Sequence, residues 1–117
     1  MDNARCSDLL KMIFSLNDSD IKTYKYALSL GETRADELAE RLNKDRATVY
    51  RSLEKLVKSG LCQKKKMILK GGGSYYLYRC MDPEYIKNHL EHCIEEWYKS
   101  MKEILNNLDE YFNELSF

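Results

Sequence analysis

Apolar residues first recur at helical spacing at Leu9, Leu10, Ile13 and Phe14, which predicts a short helix over residues 7–16. Asn17, Asp18, Ser19 and Asp20 form a cluster of turn and N-cap residues. A second helix is predicted over 20–30, with Ile21, Tyr24, Ala27, Leu28 and Leu30 inward and Gly31 ending it. A third opens at Thr33, whose hydroxyl is placed to cap the amide of Asp36, and it ends near Leu42 with Leu38, Ala39 and Leu42 as its packing face. Asn43-Lys44 is a tight turn, and Asp45 is a good N-cap for a fourth helix over 45–59. With Val49 set at zero on the 3.6-residue wheel, Leu53, Leu56 and Val57 fall within roughly 80° of it.

Beyond Gly60 the pattern changes. Residues 61–69 and 74–81 are rich in aliphatic and aromatic side chains, and Gly71-Gly72-Gly73 separates them, so a β-hairpin is predicted. Asp82-Pro83 then supplies an N-cap followed by proline at the first helical position. The helix it opens is expected to run to residue 115, about 50 Å at 1.5 Å per residue. Its apolar stripe is Ile86, Leu90, Cys93, Trp97, Met101, Ile104, Leu108, Tyr111 and Leu115. The mean step is near 3.6 residues, which predicts a nearly straight helix rather than a strong supercoil.

Two short helices joined by a small turn make a helix-turn-helix, and a hairpin directly after it makes a winged one. The expected fold is therefore mainly α with a small β-hairpin. Residues 1–81 form the winged helix-turn-helix and 82–117 a long C-terminal dimerisation helix. The preceding domain is too small to cover so long a stripe, so a second copy of the helix, giving a two-fold homodimer, is favoured over a helix folded back on its own domain.

Charge alters this picture more than composition does. The chain is 117 residues, 44% hydrophobic and 32% charged, which suits one folded domain with a modest core. Net charge is zero, yet residues 41–70 hold ten Lys/Arg against two Asp/Glu, a surplus of +8. Residues 82–117 hold three against nine, a balance of −6. Local potential governs binding more than the total does, so a basic centre between acidic ends keeps nucleic acid in view as a partner. No apolar run approaches the ~20 residues of a membrane span, and the first ten residues carry no signal-peptide pattern, so a cytoplasmic protein without a membrane role is expected.

The fourth helix places small or hydrogen-bonding residues near its start and cations along its length, the profile of a helix entering a major groove. The DNA-facing candidates are Arg46, Ala47, Thr48, Tyr50, Arg51 and Lys55 on this helix, with Lys64, Lys65, Lys66 and Lys70 on the wing. The bland reading is an amphipathic surface helix with a solvated basic face. The glycine triplet is no phosphate loop, because it leads into a strand and lacks the lysine that such a loop needs. His89 and Cys93, with Cys80 as a third candidate ligand, are too sparse for a zinc site, so no metal and no cofactor are expected. Cys6, Cys62, Cys80 and Cys93 form no C-x-x-C pair, and free thiols are the default. A redox role for Cys62, near Lys64–Lys66, ranks below a buried strand cysteine. No nucleophile elbow or H-E-x-x-H appears, so no enzyme is expected.

TRADELAERLNKDRATVYRSLEKLVKSGLCQKKK followed by GGGSYYLYRCMDPEYIK resembles the winged helix-turn-helix transcription regulators of archaea related to the TrmB family, with a looser likeness to the MarR group. The resemblance spans residues 19–101. It implies a cytoplasmic homodimer that binds double-stranded operator DNA through the second helix of the motif and the wing. It matches Arg46, Thr48, Tyr50 and Arg51 to the DNA-facing part of that helix. Full-length TrmB regulators carry a further C-terminal domain that binds sugars, whereas this chain ends with its long helix. Sugar sensing is therefore not expected to carry over, and any small-molecule effector is unknown. Two functions follow: a sequence-specific DNA-binding regulator, or a winged-helix protein–protein interaction module that no longer reads DNA.

Overall fold

The computed structural model describes residues 3–115, with side chains from residue 8 onward. Its contacts divide the chain into two compact units, one ending at Ile86 and one beginning at Lys87. The first unit opens with α1 (Asn3–Phe14) and α2 (Asp18–Leu30). Asn17 caps α2 through a reciprocal box: its side chain accepts from the Asp20 amide at 2.8 Å, and the Asp20 carboxylate accepts from the Asn17 amide at 3.0 Å. α1 ends two residues before the expected boundary. Ser15 takes a left-handed conformation (φ 55°) and Leu16 turns into the core as a loop residue, its amide donating to the Lys11 carbonyl.

Thr33 departs from the sequence expectation. It does not start a helix but lies in a two-residue strand, β1 (Glu32–Thr33), paired antiparallel with Tyr78. Its buried hydroxyl donates to the Arg34 carbonyl rather than accepting from the Asp36 amide. The third helix, α3 (Ala35–Leu42), begins after Arg34, which gives no side-chain cap. A strand of two residues has no readable period, and pairing with a distant strand outweighs the local capping signal.

α3 ends at Asn43 in the left-handed conformation (φ 54°), and α4 (Arg46–Lys58) follows. Asp45 caps α4, accepting from the Thr48 amide at 2.7 Å. The buried Ala39 allows close crossing, and Leu38, Val49, Leu53 and Leu56 fill the core between the two helices and the sheet. The hairpin is β2 (Cys62–Ile68) and β3 (Ser74–Cys80), with register running from Cys62 opposite Cys80 to Ile68 opposite Ser74. With β1 on the other side of β3, the sheet order is β1-β3-β2. The cysteine expectation needs correcting here. Cys62 and Cys80 are joined by a disulfide, because directly opposed residues on neighbouring strands bring their sulfurs together. Cys93 is free.

Asp82 caps the next helix by accepting from the Tyr85 amide at 2.9 Å, and Ile86 is buried in the core of the first unit. The expected single helix over 83–115 is interrupted at Asn107, giving α5 (Pro83–Asn106) and α6 (Leu108–Leu115). The break is slight. The Asn107 amide still donates to the Glu103 and Ile104 carbonyls, and its carbonyl accepts from the Tyr111 amide. Tandem asparagines disturb a helix because their amides compete with the backbone for partners. Among the described residues no helix is long and apolar enough to cross a membrane.

Candidate nucleic-acid interface

α4 is held from both sides by carboxylates, and this decides which of its polar groups are available. On one side Asp20 of α2, almost wholly buried, accepts from the Ser52 hydroxyl and from the Lys55 ammonium, both at 2.5 Å. Burial pushes the Asp20 carboxyl up, but the hydrogen bonds from Lys55, Ser52 and the Asn17 amide outweigh it and hold it below the usual carboxylate range. On the other side Glu54 of α4 accepts from Lys64 of β2 at 2.8 Å and from the Tyr78 hydroxyl of β3 at 2.7 Å. Burial again opposes ionisation, and the same two donors overcome it. The Tyr78 phenol is raised far above its ordinary value by burial and by its bond to Glu54. Both acids of the basic stretch 41–70 thus have structural duties, Asp45 as a cap and Glu54 as a brace.

The ten DNA-facing candidates divide accordingly. Lys55 is ion-paired to Asp20 and Lys64 to Glu54, and Lys64 also lies over the Tyr76 ring at 4.6 Å, so neither is an uncompensated cation. Thr48 donates both its amide and its hydroxyl to Asp45, and its oxygen receives a long contact from Arg51 at 3.5 Å. Arg46, Ala47, Tyr50 and Arg51 are exposed on the first turns of α4, and Lys65, Lys66 and Lys70 are exposed on the wing. The structure brings the helix and the hairpin together around a cavity of about 180 Å³ lined by Arg34, Ala35, Asp36, Arg46, Tyr50 and residues 74–76 and 78. Beside it, Arg46, Ala47 and Tyr50 line a second concavity of about 430 Å³.

Several features were not read from the sequence. Arg34 stacks on the Tyr75 ring at 4.2 Å, a contact between residues 41 positions apart that no local pattern signals. At the wing tip Ile68 and Leu69 are exposed between Lys66 and Lys70. Gly72 and Gly73 there take positive φ, as the turn requires. Asp20 looked like a simple cap, and its reach to α4 depends on tertiary placement. Glu54, which caps no helix yet stands within a basic run, was the one available hint of a tertiary partner.

In the second unit the structure places Trp97, Met101, Ile104, Tyr111 and Leu115 exposed, and Leu90, Cys93 and Leu108 half-buried. Ile86 is engaged in the core of the first unit and leaves this stripe. Ile94, Tyr98, Leu105 and Phe112, exposed as well, form a second row that the stripe omitted. Cys93 Sγ lies 3.9 Å from His89 Nε2, while Cys80 is engaged with Cys62.

The model of the family described as sugar-specific transcriptional regulator TrmB matches residues 10–84. An uncharacterized protein of Methanocaldococcus jannaschii is 35% identical over 86% of this chain and 76% of its own length. Among solved structures, a possible transcriptional regulator from Methanosarcina mazei Go1 aligns with a TM-score of 0.73 and 26% identity, covering 87% of each chain. TrmBL2, described as an archaeal chromatin protein with a novel mode of DNA binding, aligns with a TM-score of 0.67 and 26% identity over 97% of this chain and 42% of TrmBL2.

Proposed function

The chain belongs to the TrmB family of transcriptional regulators, and from that premise we propose that it is a dimeric, cytoplasmic, sequence-specific reader of operator DNA. α4 enters the major groove with Ala47, Tyr50 and Arg51 toward the bases and Arg46 toward a flanking phosphate. Lys65, Lys66 and Lys70 of the wing meet the backbone or the minor groove, which fixes register rather than sequence. The observation that carries this reading is the exposed basic start of α4, braced to a basic hairpin through Glu54. A helix held at a set angle to its wing is what two-groove contact needs. Two copies pair through Leu90, Cys93, Trp97, Met101, Ile104, Leu108 and Tyr111, with their outer neighbours.

Selection of bound sites from a random double-stranded DNA pool, followed by titration at two salt concentrations, tests the proposal. The expected result is an enriched motif whose affinity falls by about 10³–10⁵ between 50 and 200 mM salt if six to ten phosphates are contacted. A pool that yields no motif, or binding indifferent to salt, would overturn it and favour a protein-interaction module.

A further inference from the structure

Taking α4 as the major-groove reader, as proposed above, leaves the question of which base features it can recognise. Most polar groups on the helix are already engaged. Thr48 gives its hydroxyl to Asp45, Ser52 gives its own to Asp20, Lys55 is paired with Asp20, and Glu54 receives Lys64 and Tyr78. What the first two turns still present is Arg46, Ala47, Tyr50 and Arg51. Ala47 and Tyr50 are three residues apart and so are neighbours on the helix surface. With Arg46 they line the concavity of about 430 Å³, whose exposed lining is almost wholly apolar. Tyr50 keeps 44% of its surface exposed.

The apolar group that projects into the major groove of unmodified base pairs is the C5-methyl of thymine. Guanine N7 and O6, adenine N7 and N6 and cytosine N4 each need a hydrogen-bond partner, and the Ala47 methyl and Tyr50 ring offer none. We propose that Ala47 and Tyr50 form a thymine-methyl pocket, and that it carries a share of the operator specificity. Ala47 is the floor, small enough for the base edge to approach. The Tyr50 ring is the wall, and its hydroxyl is not needed for the contact. Arg46 is at the rim, placed for the adjoining phosphate. Base reading by this helix is then divided between an apolar contact at Ala47–Tyr50 and the guanidinium of Arg51.

The test uses the full chain and the motif enriched from the random pool. Each thymine of the motif is replaced in turn by deoxyuridine, which removes only the methyl group. One thymine per half-site is expected to lose about fourfold in affinity, the worth of one buried methyl-sized group. At that position 5-methylcytosine should bind better than cytosine. The Tyr50→Phe variant should keep the thymine–uracil difference and Tyr50→Ala should lose it. These are measurements on DNA substitutions, so a general effect of a variant on folding does not mimic the pattern. An enriched motif in which every deoxyuridine is neutral would overturn the pocket and leave the DNA-binding proposal standing, as would a difference that survives in Tyr50→Ala. Failure to enrich any motif would overturn both.

Discussion

At the scale of single residues, Asp20 shows where a sequence stops informing. Its place in the cluster 17–20 made a capping role legible, because the box with Asn17 is a local pattern. Its second role was not legible. The same carboxylate reaches α4, and the helical wheel could only place Lys55 on the outer face without saying where its long side chain turns. Asp20 is held ionised by the Lys55, Ser52 and Asn17 donors despite burial, so its folded pKa lies below its unfolded one. The stabilisation is therefore present above the unfolded pKa, near 3.9 for an aspartate, and is lost as pH falls through the lower folded value. Asp20→Asn should cost about 1–3 kcal/mol at neutral pH, the range for leaving buried donors imperfectly matched. The stability gap between variant and wild type should narrow as pH drops below about 4. Chemical denaturation of both proteins across pH 3–7 measures it, and a gap of constant size would show that ionisation of Asp20 does not matter.

At the scale of elements, α2 and α4 were legible from helical spacing and capping residues, and the two long strands from their aliphatic and aromatic content on either side of the glycine triplet. β1 was not, since two residues carry no period and its existence depends on the exposed edge of β3. The disulfide was hidden for a related reason. Cys62 and Cys80 are 18 residues apart with no motif between them. Only the hairpin register, set by the five-residue connection from Leu69 to Gly73, puts them opposite one another. The bridge leads to a direct expectation. Thiol labelling of protein unfolded without reductant should mark Cys93 but neither Cys62 nor Cys80, and should mark all three after reduction. The bridge closes a loop that includes all the wing lysines. In the chain-entropy picture it contributes about 3 kcal/mol, so reduction should lower the unfolding midpoint without abolishing the fold. Labelling of Cys62 and Cys80 in unreduced protein, after preparation free of reductant, would refute the pairing.

At the scale of the whole molecule, the sequence made the basic centre and the apolar C-terminal stripe visible, but it understated the width of the stripe. Ile94, Met101, Leu108 and Leu115 recur every seven residues, as do Trp97, Ile104 and Tyr111, and as do Tyr98, Leu105 and Phe112. This is three apolar positions per heptad, a broader face than the two of a minimal coiled-coil seam and the width used by bundle helices. Trp97, Ile104 and Leu105 are each more than half exposed in the single chain. Burying such residues stabilises association by roughly 1.5–3 kcal/mol apiece before the costs of ordering, so a second copy is the expected occupant. Wild-type protein should sediment as a dimer at tens of micromolar, and a Trp97→Glu, Ile104→Glu double variant as a monomer. Circular dichroism distinguishes dissociation from unfolding, because the first unit has its own core and should keep its helical signal. The DNA footprint adds an independent reading. A two-fold dimer places its recognition helices on two half-sites about 34 Å, or roughly 10 base pairs, apart or a multiple of that. Wild type should protect both halves of an imperfect palindrome, and the double variant should bind each half separately and more weakly. A monomeric wild type, or a footprint confined to one half-site, would rule out the dimer without bearing on the DNA contacts of α4 and the wing.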